Sequence, residues 1–365
     1  MRGEEGARLF YDNDLVTRRG AIPAPVRLLL FGRGAVHGLN GPDHRDRKQM
    51  FLSLVDTSSA RRLSDDVAAR LEQRASAWSG REQVRLFEEL VEVYGTAVIQ
   101  WAGIDVTEDQ ARSISGELAL IVDAFGVRGT SHVRGYIARF RANRWARRLI
   151  AEVRRGSRPG QGTVLGEIAG SARLSERVAA VELLNVLRPT VAVAYFGAFA
   201  AHALDRNPEW KGRLRAADPV DLRAFELELR RCYPFVPLLT GRFVKNHAWN
   251  DATFPRRSFI VLDVIGTNQD PRRWPRPTTF DPQRFVVREP DAFEYVPQGG
   301  GDPADGHRCP GEPLAQGILQ ATIERLAGLE FELAPQSRVV PLRRVPSLPF
   351  HGVELRKVRG AHART

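Results

Sequence analysis

Long hydrophobic runs are missing from this sequence. No uninterrupted apolar stretch of about 18 residues occurs, and the first ten residues lack the apolar core of a signal peptide. A membrane span is therefore not expected, and a cytoplasmic protein is. Cysteine is almost as scarce. Two thiols, Cys232 and Cys309, in 365 residues make neither a disulfide framework nor a CxxC metal or redox pair. Lysine occurs only as Lys48, Lys211, Lys245 and Lys357, so the net charge of +11 comes from arginine. Those arginines are spread along the chain and mixed with acids, with no helix-turn-helix, zinc or aromatic-stacking signature beside them. A nucleic-acid partner is not expected. No repeat with a period of about 20–50 residues is visible, which argues against a solenoid.

What the chain has in abundance is helical patterning. Residues 65–78, 82–101, 111–125 and 133–155 read as helices. In the second, Val84, Phe87, Leu90, Val91, Tyr94 and Val98 recur near the helical period. Residues 156–163 break the pattern with Gly, Ser and Pro. Residues 178–204 are apolar nearly all round in their second half, the texture of a helix inside a core. Another helix fits 218–233. Short β-branched and aromatic runs then predict strands over 242–245, 247–252 and 258–263. A Pro-rich loop over 271–288 and a Gly-rich loop over 293–310 precede a helix over 312–329 and late strands within 339–356. The fold class expected is mainly α with a small β region, in one domain over residues 1–365.

The densest chemistry lies in Pro297-Gln-Gly-Gly-Gly-Asp-Pro-Ala-Asp-Gly-His-Arg-Cys-Pro-Gly-Glu312. Cys309 ends a glycine-rich loop and stands immediately before a helix. N–H groups at a helix start have no partner within the helix and favour an anionic thiolate. Glycines let the backbone lie close against a flat cofactor. A thiolate held in this way suits haem iron, which needs strong electron donation for O–O cleavage. A buried structural cysteine is the plainer reading of a lone thiol, and the glycine-rich loop weighs against it. A phosphate loop does not fit, because Gly306 is followed by His307 rather than by Lys and Ser or Thr.

Two further elements accompany this loop. Glu228-Leu-Arg-Arg231 sets an acid and a base three residues apart on a helix, by itself an ordinary surface pair. Pro282-Gln-Arg-Phe285 supplies Arg284 from a proline-rich loop. In this order, together with the Cys309 loop, they resemble the cytochrome P-450 superfamily. The resemblance implies a helical bundle around haem b, with Cys309 as the iron ligand. It also implies that Glu228, Arg231 and Arg284 form a buried ionic cluster fixing the loop that carries Cys309.

The long apolar helix narrows the resemblance. Its centre reads Leu184-Asn-Val-Leu-Arg-Pro189, without the acid–Thr pair that oxygen-activating members carry. A lone Arg in a helix often snorkels. Here, though, proline removes a backbone hydrogen bond and a buried charge needs a partner, a double cost that points to function. The segment is similar to bacterial peroxide-dependent fatty-acid peroxygenases and decarboxylases. So are Tyr11, Asp14, Leu30-Phe-Gly32, Asp123-Ala-Phe-Gly126, Arg231-Cys-Tyr-Pro-Phe235 and Gln298-Gly-Gly-Gly301. This resemblance implies that Arg188, with Pro189 beside it, grips the carboxylate of a fatty acid. The carboxylate would then carry a proton for hydrogen peroxide, so that no redox partner is required. Oxidation is expected at the α or β carbon. Phe31 and Phe235 would line the alkyl channel, with ordinary core packing as the alternative. His37 occupies a position where alkene-forming decarboxylases carry His, which would favour loss of CO2 alongside β-hydroxylation. Arg18, His44, Lys48 and His307 match positions near the haem propionates.

The resemblance starts near Phe10. Members carry about 40–50 residues before that point, comprising a first helix and two strands that pair with the strand near residues 259–262. On this reading the chain is N-terminally short, with an exposed edge strand as the result. Two competing readings stay open: an oxygen-dependent monooxygenase fed by a redox partner, and a catalytically inactive haem-binding member.

Overall fold

The computed structural model describes residues 1–126, 129–233, 235–304, 306–341, 345–349 and 352–360. The chain opens with α1 (Gly3–Tyr11), β1 (Val16–Thr17), α2 (Ala24–Leu30) and α3 (Gly41–Leu54). The helical body follows as α4 (Thr57–Trp78), β2 (Val84–Arg85), α5 (Leu86–Trp101), α6 (Glu108–Asp123), α7 (Thr130–Arg154), α8 (Val164–Gly170), α9 (Glu176–Ala192) and α10 (Ala194–Arg206). Beyond α11 (Pro208–Leu214) and α12 (Pro219–Cys232) come β3 (Leu238–Phe243), β4 (His247–Trp249), β5 (Ala252–Phe254) and β6 (Phe259–Asp263). The last elements are α13 (Val264–Asn268), α14 (Gln283–Val287), α15 (Glu312–Ala327), β7 (Leu329–Leu333) and β8 (Glu354–Gly360).

Local chemistry sets the helix starts. The Asp56 carboxylate caps α4 by accepting from the Ser59 N–H at 2.6 Å, and Thr107 and Gln110 close a reciprocal capping box on α6. Asp218 caps α12, whose first residue is Pro219. Each such cap is worth about 1 kcal/mol. On α4 the apolar residues Leu63, Val67, Leu71, Ala75 and Trp78 share one face, and that buried face packs along α15. Helices α5, α6, α7 and α9 pack on one another, and α9 runs through the interior.

The expected 178–204 helix is instead two helices meeting at Val193. Pro189 offers no N–H to the Asn185 carbonyl, and the turn tightens until the Val193 N–H reaches the Thr190 carbonyl at 3.1 Å. Together Glu176–Arg206 is long and apolar enough to cross a membrane by composition, yet 94% of its most apolar window is buried inside the protein.

The β region is larger than the sequence reading drew it. β3 begins at Leu238, because Leu238 to Arg242 pair antiparallel with Asp263 to Phe259, and β1 adds to its other side. β4 and β5 form a hairpin turning at Asn250 and Asp251, both at positive φ. In the order β1-β3-β6, β6 is an edge strand, against which Met1 makes two hydrogen bonds: its carbonyl accepts from the Asp263 N–H at 2.9 Å and its terminal ammonium donates to the Val261 carbonyl at 2.8 Å. The start of the expected 82–101 helix is β2, which pairs with β8, and β8 also pairs with β7. Of the two late strands, β7 precedes residues 339–356 and β8 begins inside that span at Glu354 and runs past it, while 342–344 and 350–351 lie outside the described residues.

Candidate active site

The loop bearing Cys309 is held from two sides of α12. On one side, Arg231 grips Glu228 with Nε and Nη2 at 2.7 and 2.8 Å, and Arg284 Nε reaches the same carboxylate at 3.2 Å. Remaining Arg231 and Arg284 donors go to the carbonyls of Asn268, Pro277, Thr279 and Pro275. The Asp281 N–H also donates to Glu228, at 2.7 Å. The cluster expected from the sequence is therefore assembled, and it ties α12 to the proline-rich loop.

On the other side lies a second cluster that the sequence reading missed. Fully buried Arg230 pairs with Glu226 and donates to Gln298 Oε1 and Glu312 Oε1 at 2.8 and 2.9 Å. Arg308 completes it through Glu312 at 2.7 Å. Adjacent arginines thus face opposite ways, one to the proline-rich loop and one to the start of α15. The repeated acid at 226 and 228 ahead of Arg230 and Arg231 was the available signal.

Cys309 itself opens onto an internal cavity of about 500 Å³. Its N–H donates to the Gln298 carbonyl at 3.0 Å. Gly299, at φ +103°, lets the loop fold back here, since a side chain would lie 2.9 Å from the Arg308 Cα. Burial pushes the Cys309 thiol up, and the Gly311 N–H opposes that.

One wall of the cavity is basic. Arg18, His44, Lys48 and His307 sit near one another, with the two histidine rings 4.1 Å apart. Arg18 lies over the Phe10 ring at 3.8 Å, and among the described residues its buried Nη1 has no hydrogen-bond partner. Burial, then the neighbouring charges of Arg18, His44 and Lys48, hold His307 down to about 2. Burial, Lys48 and Arg18 lower His44 to about 4. Lys48 donates to the Gly306 and Arg308 carbonyls.

Another part of the lining comes from α9. Arg188 is 5% exposed, stands 5.4 Å from the Phe31 ring, and donates one hydrogen bond, from Nη2 to Asn185 Oδ1 at 3.1 Å. Among the described residues its Nε has no partner. Burial, and then the positive charge of Arg139, lowers its pKa to about 9. His37 stacks on Phe31 with ring centres 4.0 Å apart, and its Nδ1 is also unpartnered. Burial and the Arg188 charge depress His37 to about 3. Phe235 packs against Tyr195 and Phe196 and lines the cavity with Phe31, Pro189 and Ala192. Pro234, quoted with it in the sequence, lies outside the described residues.

Sequence reasoning missed the support behind this wall. Arg139 donates to the Leu30 and Phe31 carbonyls at 3.3 and 3.1 Å. Gly32 at φ +88° makes room for it, because a side chain there would collide with the guanidinium. Asn185 and fully buried Glu182 stand behind Arg188, at three-residue intervals along α9. That spacing of polar residues on an apolar helix was the readable signal.

Comparison with known proteins now decides the family. A profile of the cytochrome P450 family matches residues 222–349. Taurochenodeoxycholic 6 alpha-hydroxylase of Sus scrofa is 30% identical over 139 residues, and carnosic acid synthase of Rosmarinus officinalis is 33% identical over 110. These matches span only 25% and 21% of those proteins. Among solved structures, cytochrome P450SP alpha in complex with (R)-ibuprofen superposes with a TM-score of 0.94 at 36% identity, covering 98% of this chain and 90% of that one. Ligand-free cytochrome P450 OleT gives 0.95 at 30% identity, covering 100% and 89%. The chain belongs to the cytochrome P450 family. Within it, the P450 stands beside P450SP alpha and OleT, in the peroxygenase and decarboxylase branch that the sequence resembled. A haem-thiolate cofactor follows from the family, and the site fits one: the half-buried Cys309 thiol faces a cavity lined by His44, Lys48 and His307, and Arg18, within charge range of both histidines, has among the described residues no acceptor for its buried Nη1.

Proposed function

We propose that this cytochrome P450 is a haem b peroxygenase that uses hydrogen peroxide to oxidise fatty acids at the α or β carbon. The observation that carries this reading is Arg188, a buried guanidinium with an unpartnered Nε and one hydrogen bond, beside an apolar cavity. Such a charge is costly until an acid arrives, and a carboxylate satisfies a guanidinium fork with two parallel bonds. A structure of an OleT variant holds arachidonic acid, a fatty acid, and superposes at a TM-score of 0.94.

Cys309 would ligate the iron, and Arg18, His44, Lys48 and His307 would hold the propionates. When bound, the haem supplies the metal at which peroxide is activated. Arg188 holds the acid end of the substrate at one fixed place, so the carbons next to the carboxylate are the ones presented for oxidation. The same carboxylate stands in for the acid–alcohol pair absent from α9, taking a proton from one peroxide oxygen and returning it to the other. Phe31, Phe235 and Phe196 exclude water around the alkyl chain. His37, kept neutral by burial, acts as a hydrogen-bonding group near the β carbon rather than as a resident cation, and terminal alkene is expected beside β-hydroxy acid. Cytoplasmic residence and independence of a redox partner belong to the same reading.

The test is incubation with hydrogen peroxide and a fatty-acid series without reductase, with product analysis, on wild type and Arg188→Ala. Turnover that requires a reductase and oxygen would overturn the peroxide assignment. An exclusive α-hydroxy product would remove the role given to His37.

A further inference from the structure

We propose that Glu182 is a positioning residue for Arg188, a buried double acceptor that fixes, through Asn185, which way the guanidinium presents its free donors. This deepens the reading above and rests on it.

Glu182 is completely buried on α9, away from the cavity lining, and both of its oxygens are used. Oε1 accepts from the Val36 N–H at 2.9 Å and from Arg47. Oε2 accepts from Asn185 Nδ2 at 2.9 Å. That same Nδ2 also donates to the Phe31 carbonyl at 3.2 Å, so two acceptors hold the Asn185 amide nitrogen on one side. Its oxygen is thereby turned to Arg188 Nη2. One carboxylate consequently sets three things: the anchor guanidinium, the Phe31 carbonyl, and the backbone next to His37.

The donor–acceptor sequence explains why the residue is an acid and not an amide. A Gln at 182 must keep its oxygen toward the Val36 N–H and Arg47, both donors, which points its NH2 at the Asn185 NH2. Turning Asn185 over relieves that clash only by setting its oxygen against the Phe31 carbonyl and its NH2 against Arg188. Either arrangement leaves buried polar groups unmatched. The change in volume is negligible, so the effect reads the polarity of the relay and not packing.

The experiment uses the haem-loaded protein, and compares binding of a long-chain fatty acid with binding of the primary alcohol of the same chain. Both are followed by calorimetry and by the ligand-induced shift of the Soret band. Wild type is expected to prefer the acid; if it does not, the Arg188 anchor itself is wrong. Glu182→Gln is expected to weaken the acid by roughly tenfold or more and the alcohol by less than about twofold. Asn185→Leu should give the same acid-specific loss, and Glu182→Gln/Asn185→Leu no more than either alone, because the two act in series. An acid preference that survives Glu182→Gln, an equal loss for acid and alcohol, or losses that multiply in the double variant each overturn the relay. Should Glu182→Gln not retain haem, Arg47→Met loosens the same carboxylate from the rim. It should weaken the acid alone by a few-fold, and unchanged acid affinity would count against the proposal.

Discussion

Helices α12 and α9 both bury arginine, and they treat it in opposite ways. On α12, Arg231 spends its donors on Glu228 and three carbonyls, while Arg230 is shared among two carboxylates and Gln298. On α9, Arg188 makes a single hydrogen bond among the described residues and leaves Nε bare. A saturated buried charge holds a structure in place, whereas an unsaturated one is held ready for something that arrives later. The neighbours differ accordingly. Loops and the start of α15 surround the first pair, and an apolar cavity faces the second.

The contrast can be broken most severely on the saturated side. Glu228→Gln should strand Arg231 and Arg284 as buried unpaired charges, costing about 3–5 kcal/mol. Urea unfolding and the yield of haem-loaded protein would show it; a wild-type midpoint would mean that the cluster is not structural. Arg188→Ala should do the reverse. It removes a poorly satisfied charge, so stability should change by less than about 1 kcal/mol, while peroxide-driven oxidation of fatty acids should fall about 100-fold, near 2.7 kcal/mol.

A pH experiment sharpens the comparison further. Burial and Arg188 hold His37 at about 3 in the folded chain, against about 6.5 when unfolded. The unfolded chain therefore takes up the proton first as pH falls, and stability contributed by neutral His37 is present above about 6.5 and lost progressively toward 3. His37→Phe should flatten part of that acid limb, by a few kcal/mol at most, in unfolding curves of the substrate-free protein between pH 7 and 4. An unchanged slope would mean that His37 is not held neutral. The smallest effect expected is from Gly32→Ala, about 1–2 kcal/mol, since the site needs both a positive φ and space for Arg139.

Sequence patterning revealed what repeats and obscured what the site had altered. The strand at β6 and the helices α5 to α7 were legible because their apolar residues follow one period. Helix α3 was not, because its buried face is His44, Lys48, Phe51 and Leu54, half of it polar. Those polar positions face the cavity, so the signal that hides the helix marks the site. Arg188 and Cys309 stood out through costly neighbours, Pro189 and the glycine loop. Arg139 did not, since its partners are the Leu30 and Phe31 carbonyls, brought close only by folding; for Glu182 only the spacing to Asn185 was readable, because its other partners, the Val36 N–H and Arg47, are distant in sequence. The bend at Val193 was foreshadowed by Pro189, but its position four residues on depends on how the turn closes.

The lining of the cavity has a consequence for which acids are taken. Leu238 and Pro23 both line it and are both exposed, so part of its wall reaches solvent, whereas Arg188 is buried. Each added methylene gains about 0.8 kcal/mol while it is still covered, and nothing once it emerges. Affinity across a homologous series should therefore rise and level off, never turning down sharply. The oxidised carbon should keep the same count from the acid group throughout, as with a gauge that has a zero but no upper stop.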